Sequence, residues 1–195
     1  MGWLYRRKVV PRILEKCHRI ITVSNFEKQN IIQKLNIPEK RMAMIYNGYN
    51  EWFKPMRDIA DIYKSYIEKP GYFFFLGNTD PKKNTERTLI AYSKYLEKSD
   101  IKRKLLMADL DKEYLDSIIE RNHIENICEQ IVMPGYIVNS DLPYVYNNAF
   151  AFLYTSLRES FGIPLLEAMA CGTPVITSNT SSMPEIAGDD AILIN

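Results

Sequence analysis

The order of apolar and amphipathic segments constrains the fold of this 195-residue chain more than any other feature of the sequence. Short apolar runs alternate with segments in which apolar residues recur at helical spacing, as Leu89, Tyr92 and Leu96 do. Most runs are apolar throughout, which is typical of strands covered on both faces. Strands alternating with helices predict a Rossmann-like α/β domain with a parallel sheet flanked by crossover helices. The predicted strands are 20–23, 42–46, 72–76, 104–107, 130–133, 149–154, 174–177 and 191–194.

Two changes in sequence character divide the chain. Residues 1–50 contain a basic amphipathic helix, a strand, a second helix and another strand, which is too little for a domain. Residues 51–70 mix turn signals, two prolines and charges, as an interdomain linker does. Residues 71–195 carry the main alternation, but the last predicted strand has no helix after it. We therefore expect the chain to be a truncated piece of a larger protein, with its last helices absent.

Composition and charge exclude several classes of function. The net charge is +1, so no global field requires nucleic acid or an acidic membrane. The apolar runs are too short to span a bilayer, and the charged start shows no signal peptide, which favours the cytoplasm or the inner face of its membrane. Cys17, Cys128 and Cys171 predict buried free thiols of a reducing compartment. His18 and His123 have no partner at ligand spacing, so no zinc site is indicated.

The first candidate site is the turn after the predicted strand 72–76, in the stretch FLGNTDPKKN. In a parallel sheet, ligands bind at the carboxyl ends of strands. The turn has one glycine, Gly77, and so lacks the three of a dinucleotide fingerprint. Lys82 and Lys83 precede a helix start that we expect Asn84 to cap, an arrangement that suits a phosphate or diphosphate. Two solvated lysines in a polar turn remain an equal alternative.

The second candidate site is the stretch RESFGIPLLEAMACG, a loop followed by a helix. Gly162 lets the backbone approach a ligand closely, and the amides from Phe161 onward lie at the positive end of the helix. Glu159 lies in the loop, and Glu167 lies about one turn into the helix. A carboxylate can accept two hydrogen bonds from a vicinal diol such as that of a ribose. The alternative is a surface charge and a carboxylate that stabilises the helix dipole.

Other acidic residues are better explained by helix starts. Asp109 and Asp111 invite a metal-binding interpretation, but they precede the helix KEYLDSIIE, where aspartates act as caps. Ser182 and Glu185 have the spacing of a capping box with a proline in the first turn. We therefore predict structural roles for these residues and no metal site.

The stretch ESFGIPLLEAMACGTPVI resembles the signature of retaining GT-B-fold glycosyltransferases of family 4, the group 1 glycosyl transferases. Its core is a glutamate, seven residues and a second glutamate. The resemblance covers nearly the whole chain and includes RIITVSNFEKQNIIQKLNIPEKRMAMIYNGYNEWFKP, FFFLGNTDPKKNTERTLIAY, IVMPGYIVNSDLPYVYNNAFAFLYTS and TSSMPEIAGDDAILIN. It implies that residues 1–50 are a remnant of the N-terminal acceptor domain, and that 71–195 are the C-terminal half of a GT-B fold.

The resemblance also implies roles for the candidate residues. Glu167 would hold the ribose hydroxyls of a nucleotide-diphosphate sugar, Glu159 would act as the catalytic residue beside the donor sugar, and Lys83 would neutralise the diphosphate. No metal or other cofactor is implied. The remaining donor-binding residues would be Gly77, Asn78, Lys82, Gly135, Tyr136, Phe161, Gly162 and Ile163.

One departure from the family pattern bears on the donor. Many members have an arginine directly after the glycine of the first turn, where this chain has Asn78, so one phosphate contact is in doubt and Lys82 is a candidate to supply part of it. The variant G-N-x-x-P-K-K-N is closer to a mannosyltransferase-like branch and favours GDP-mannose. The expected reaction is hexose transfer with retention to a glycan or lipid-linked acceptor, in polysaccharide biosynthesis, with peripheral membrane contact in the full-length protein. A non-catalytic nucleotide-sugar-binding module stays open as the alternative, and the chain alone is expected to be inactive.

Overall fold

The computed structural model describes residues 4–56 and 61–195. Residues 1–3 of the predicted acceptor-domain remnant and residues 57–60 of the predicted linker lie outside the described part. The division into a remnant, a linker and a main domain stays a prediction.

All the described strands are parallel, and they form two sheets. Strands β1 and β2 form a small sheet, and the other six form a sheet of order β5-β4-β3-β6-β7-β8. Each predicted strand is present with its ends within two residues of the predicted ones, which confirms the Rossmann-like α/β class. The strands are β1 Ile20–Thr22, β2 Met42–Met44, β3 Tyr72–Leu76, β4 Leu105–Ala108, β5 Ile131–Gly135, β6 Ala149–Tyr154, β7 Val175–Ser178 and β8 Ile192–Ile194.

Helices connect the strands, as the parallel arrangement requires. The α-helices are α1 Val10–Lys16, α2 Asn25–Leu35, α3 Thr85–Lys98, α4 Lys112–Asn122, α5 Leu142–Asn148, α6 Ile163–Ala170 and α7 Met183–Ala187. A π-helical turn covers Tyr5–Val9, and 3-10 turns cover Glu39–Arg41, Asp61–Ser65, Pro81–Lys83 and Glu125–Gln130. No helix among the residues described is long and apolar enough to cross a bilayer.

Strand β3 shows why the larger sheet is buried on both faces. Its residues Tyr72 to Phe75 are at most 8% exposed, and alternate side chains enter opposite cores. Phe74 packs with the residues of α5 and α6 on one face, whereas Phe73 and Phe75 pack with those of α3 and α4 on the other. The continuous apolar run in the sequence thus reflects two layers of helix cover.

The segment before β3 packs against the larger sheet. Phe53, Tyr63 and Ile67 are all buried in the core on the Phe74 face. The small sheet has its own core of Ile20, Ile37 and Met42, which α2 helps to cover. The two sheets are therefore joined by chain that is anchored to the larger one.

Three local predictions are wrong. Cys128 is exposed and Cys17 only half-buried, although Cys171 is buried as expected. Asn84 precedes α3 in a left-handed conformation and its side chain makes no capping bond. Its backbone carbonyl accepts from both the amide and the hydroxyl of Thr88. Ser182 makes no capping bond to α7, since its hydroxyl donates elsewhere. The cap predicted at Asp111 is confirmed by a 2.9 Å bond from the Tyr114 amide.

Candidate functional site

The candidate site lies where neighbouring strands lead the chain in opposite directions. Strands β3 and β6 are adjacent, but the chain continues from β3 to β4 on one side and from β6 to β7 on the other. The loops after β3 and β6 therefore diverge and leave a crevice at the carboxyl edge of the sheet, the usual ligand position in such folds. Both predicted motifs begin at this crevice.

The turn after β3 is held by its own polar groups. A side-chain carbon added at Gly77 would come within 2.2 Å of the Phe75 ring, so a larger residue would displace the turn. The Asn78 side-chain oxygen accepts from the Asp80 amide at 2.9 Å. The Asn78 backbone carbonyl accepts from the Thr85 hydroxyl, also at 2.9 Å. Asn78 thus stabilises the turn rather than extending as a free side chain into the crevice.

The two lysines of this turn have different surroundings. The Lys83 ammonium donates to Glu159 Oε1 at 2.7 Å, and the side chains of this pair are 18% and 17% exposed. The Lys82 ammonium pairs with Asp80 at 3.2 Å, with both side chains nearly half exposed. The structure therefore brings Lys83 together with Glu159 in the crevice and leaves Lys82 on the surface of the turn.

Tyr154, the last residue of β6, lies beneath this ion pair. The Lys83 ammonium is 5.3 Å from the centre of the Tyr154 ring, a cation–π geometry. Tyr154 is only 2% exposed and stacks on Phe152 with ring centres 5.6 Å apart. Burial, followed by the nearby Glu159, raises the pKa of the Tyr154 hydroxyl, so it stays protonated. The Tyr154 ring is a rigid apolar surface against which the charged groups lie.

The backbone of Glu159 is held by two serines of the loop before α7. The Glu159 amide donates to the Ser181 hydroxyl at 3.1 Å. The Ser182 hydroxyl donates to the carbonyls of Glu159 and Phe161, at 3.0 and 3.1 Å. The hydroxyl predicted to cap α7 therefore fixes the loop that carries Glu159.

Gly162, the residue directly before helix α6, has a backbone conformation that disfavours other residues. Its φ is 103°, and a side-chain carbon there would come within 2.7 Å of the Met183 methyl group. Phe161 beside it is buried, whereas Ile163 is 39% exposed at the start of the helix. The amides at this end carry the positive pole of the helix dipole, which favours an anion.

Glu167 lies within α6, half-buried, beside Tyr146 of the neighbouring helix α5. The Tyr146 hydroxyl donates to Glu167 Oε2 at 3.4 Å, and Tyr146 itself is fully buried. Burial raises the pKa of Glu167, while the Tyr146 hydrogen bond acts in the opposite direction with a smaller effect. A half-buried carboxylate that has one weak neutral donor keeps acceptor capacity for further hydroxyl groups.

This raised pKa predicts how nucleotide binding depends on pH. The ionised carboxylate is the form that accepts hydroxyl donors, and Glu167 takes up a proton at a higher pH than an ordinary carboxyl. We therefore expect GDP affinity to fall as the pH drops, beginning above the ordinary carboxyl range. Titrations from about pH 8 to about pH 4 would measure this. The terminal phosphate of GDP takes up a proton in the same range, so the test is the comparison with Glu167→Gln. The unmodified chain should lose more affinity than this variant as the pH falls, and an identical pH profile in both proteins would contradict the prediction.

Gly135 and Tyr136 lie at the carboxyl end of β5, two strands from β3. Neighbouring strands are about 4.8 Å apart, so this position is on the order of 10 Å from the end of β3. Tyr136 is 61% exposed, and the Gly135 carbonyl accepts from the Asp109 amide at 3.1 Å. The structure leaves these two residues apart from the Lys83–Glu159 pair, and their place in a base pocket stays a prediction.

A separate cavity of about 640 Å³ lies on the face of the sheet that α3 covers. It is lined by α3 residues such as Tyr92 and Tyr95 and by Leu153, Ile176 and Ile194 of the strands. Lys83, Glu159 and Glu167 do not line it. The candidate site is therefore the open crevice at the sheet edge, and not this apolar cavity.

Two families match the sequence. The family described as Glycosyl transferases group 1 matches residues 59–194, and the one described as Glycosyltransferase Family 4 matches residues 1–52. The chain belongs to the group 1 glycosyl transferases. The resemblance identified from the two glutamates is thereby confirmed.

Individual relatives agree with this membership. O-antigen chain mannosyltransferase B of Escherichia coli is 30% identical over 195 residues, which cover 97% of this chain and 50% of the relative. Sucrose-phosphate synthase from Thermosynechococcus elongatus has the same fold, with a TM-score of 0.79 at 22% identity over 97% of this chain and 48% of that one. Anabaena Alr3699/HepE in complex with UDP and glucose has a TM-score of 0.76 at 18% identity, over 92% and 50% of the two chains. The chain spans about half the length of these three proteins.

Sequence reasoning missed several residues that shape the site of this group 1 glycosyl transferase. Tyr146 and Tyr154 contact the charged groups from within strand and helix patterns that indicate only core packing. Ser181 and Ser182 lie more than twenty residues from the loop that they hold. No spacing rule links such positions. Ser181 also adopts a left-handed φ of 55°, which only the structure reveals.

The residues described include no group of three or more His, Cys, Asp or Glu side chains positioned to hold a metal ion. Lys83 is instead a cation that comes from the protein itself and lies at the crevice. The roles assigned to the site residues and the expected independence from metal remain predictions.

Proposed function

We propose that this chain is the donor-binding part of a glycosyltransferase that moves a hexose from a nucleotide-diphosphate sugar to a glycan or lipid-linked acceptor with retention. The observation that carries the proposal is the Lys83–Glu159 pair at 2.7 Å, in the crevice where β3 and β6 diverge. A cation, a helix N-terminus and two carboxylates there match the diphosphate, sugar and ribose of such a donor. Keeping two poorly exposed charges at this edge costs desolvation energy, for which ligand binding would account.

Each residue of the crevice would have its own role in the transfer. When the bond between the sugar and the diphosphate breaks, the diphosphate leaves with the electron pair and gains negative charge. The Lys83 ammonium and the amides at the start of α6 would stabilise that charge. Glu159 would contact the sugar, and Glu167 would accept hydrogen bonds from the ribose hydroxyls. Gly135 and Tyr136 would line the base pocket. The acceptor hydroxyl would form the new bond to the sugar carbon and give its proton to the departing diphosphate.

The names of relatives support mannose as the sugar and a role in polysaccharide synthesis, and GDP-mannose is the donor that we propose. The Escherichia coli relative is named an O-antigen chain mannosyltransferase, and it is 30% identical to this chain. The Anabaena protein, which shares the fold, was solved with UDP and glucose, so a uridine nucleotide is the natural comparison. Acceptor binding and contact with a membrane would involve the rest of the full-length protein.

Calorimetric titration tests the donor assignment. We expect the 195-residue chain to bind GDP and GDP-mannose, more tightly than UDP and UDP-glucose, with unchanged affinity in a metal chelator. We also expect no sugar transfer by this chain alone, because catalysis needs an acceptor held beside the donor carbon. If none of the four ligands binds, the proposed function is overturned. If binding is lost in the chelator, the proposal that binding needs no metal is overturned.

Substitution of Glu159 separates the sugar contact from the nucleotide contact. In Glu159→Gln the Lys83 ammonium loses its competing carboxylate, so we expect GDP to bind at least as tightly as before. GDP-mannose should bind roughly tenfold more weakly, since a charge-assisted hydrogen bond to the sugar is lost. Paired titrations of GDP and GDP-mannose measure the difference. Equal changes for both ligands would remove the sugar contact from the proposal.

A further inference from the structure

The loop that carries Glu159 is also held from outside the larger sheet. Strands β1 and β2 with helix α2, which we call the N-terminal unit (residues 20–46), contact this loop and α7 through side chains. The hydrogen-bonded partners are separated by 131 to 160 residues in the sequence. Such contacts join the two sheets directly at the candidate site.

Ser24 and Glu27 form the first half of this connection. The Ser24 hydroxyl, fully buried, accepts from the Glu27 amide as the cap of α2 and donates to the Ser160 carbonyl at 2.7 Å. Glu27 Oε1 accepts from Arg158 Nη2 at 2.8 Å and from the Ser160 hydroxyl at 3.1 Å. The residues on both sides of Glu159 are therefore anchored to one carboxylate.

Glu185 forms the second half. Its two carboxylate oxygens accept from the backbone amides of Asn25 and Phe26, at 2.6 and 2.9 Å. These amides belong to the first turn of α2, where they have no partner within the helix. The Tyr46 hydroxyl also donates to Glu185, at 2.9 Å. Glu185 thus acts as an anionic cap on a helix of the other sheet, an arrangement favoured by the helix dipole.

Ring contacts reinforce the same connection. The Arg158 guanidinium lies over the Phe26 ring at 5.1 Å from its centre. The rings of Tyr46 and Phe161 are 5.9 Å apart, so the N-terminal unit also contacts the residue before Gly162. Each side of the Glu159 loop therefore meets the N-terminal unit.

We propose that Glu27 and Glu185 are positioning residues, and that with Ser24 they form a clasp that fixes Glu159 for contact with the donor sugar. Glu27 holds Arg158 and Ser160, while Glu185 ties α7, and with it the adjoining Ser181 and Ser182, to the N-terminal unit. Those two serines bind the backbone of Glu159. The clasp rests on the proposed function, because its effect on the sugar acts through the role proposed for Glu159.

Hydrogen exchange tests the clasp without any ligand. In Glu185→Gln and Glu27→Gln, we expect the amides of residues 158–161 to exchange faster than in the unmodified chain. The control is Glu39→Gln, which removes a carboxylate of the N-terminal unit that pairs with Lys28 at 2.7 Å but does not contact the loop. Ser160→Ala removes one contact with Glu27 without changing charge, and it provides a second variant if the others fold poorly.

Binding then shows whether the clasp acts through Glu159. Glu27→Gln and Glu185→Gln should each lose roughly threefold to tenfold in GDP-mannose affinity and keep their GDP affinity. A loss of that size is the effect of one or two misplaced hydrogen bonds. If the unmodified chain binds no nucleotide, the proposed function fails. The exchange measurement still shows whether the clasp holds residues 158–161. Unchanged exchange at residues 158–161, equal effects in Glu39→Gln, or equal losses for GDP and GDP-mannose would overturn the inference.

Discussion

Glu167→Gln should weaken the binding of GDP and of GDP-mannose alike, by on the order of tenfold to a hundredfold. The charge-assisted hydrogen bonds that are lost are worth about 1.5–3 kcal/mol each. Both ligands carry the ribose that this carboxylate is proposed to hold, so the sugar should make no difference. Calorimetric titration of each ligand provides the measurement. The substitution retains the shape of the side chain and its place beside Tyr146, 3.4 Å away.

Stability separates this result from a structural role. Burial raises the pKa of Glu167, so ionisation at neutral pH opposes folding, and a neutral amide should not destabilise the fold through charge. Thermal melts of Glu167→Gln should therefore show an unfolding temperature no lower than that of the unmodified chain. Unchanged affinity for both ligands would mean that Glu167 serves the helix alone.

Lys83→Met should also weaken GDP binding by roughly tenfold to a hundredfold, since it removes the cation proposed to lie beside the diphosphate and leaves Glu159 unpaired. The loss should extend to GDP-mannose. Methionine retains much of the aliphatic length, but Glu159 then has no cation 2.7 Å away, and its negative charge repels the ligand. Raised salt should reduce the difference between the two proteins, because it screens a partly exposed charge.

Lys82→Met is the matched control for this prediction. Lys82 lies in the same turn with the same charge, but it pairs with Asp80 at 3.2 Å and is nearly half exposed. We expect its GDP affinity to stay within roughly twofold of the unmodified chain, the effect of a weak surface pair. Equal losses in the two variants would show that net charge, and not the position of Lys83, governs binding.

The strands and the main helices could be predicted because their signals are local. The run Tyr72–Leu76 is apolar at every position, and that pattern suits only a strand or helix buried on both sides. The family motif around Glu159 and Glu167 similarly occupies one continuous stretch of sequence. Caps were less predictable: Asp111 binds the helix that follows it, whereas Ser182 does not. A short polar side chain meets several partners with similar energy, and spacing does not choose between them.

The sequence by itself determined the parallel α/β class and the family, and it predicted the two carboxylates of the candidate site. Only the tertiary structure decided that Lys83, and not Lys82, meets Glu159, and that Ser182 and Glu185 serve the loop and helix of other segments. The physical reason is distance along the chain. Local patterns record which face of an element is buried, but Glu185 and Asn25 are 160 residues apart and meet only when both sheets have formed. Hydrogen bonds of that kind depend on how whole elements pack, which no short stretch of residues specifies.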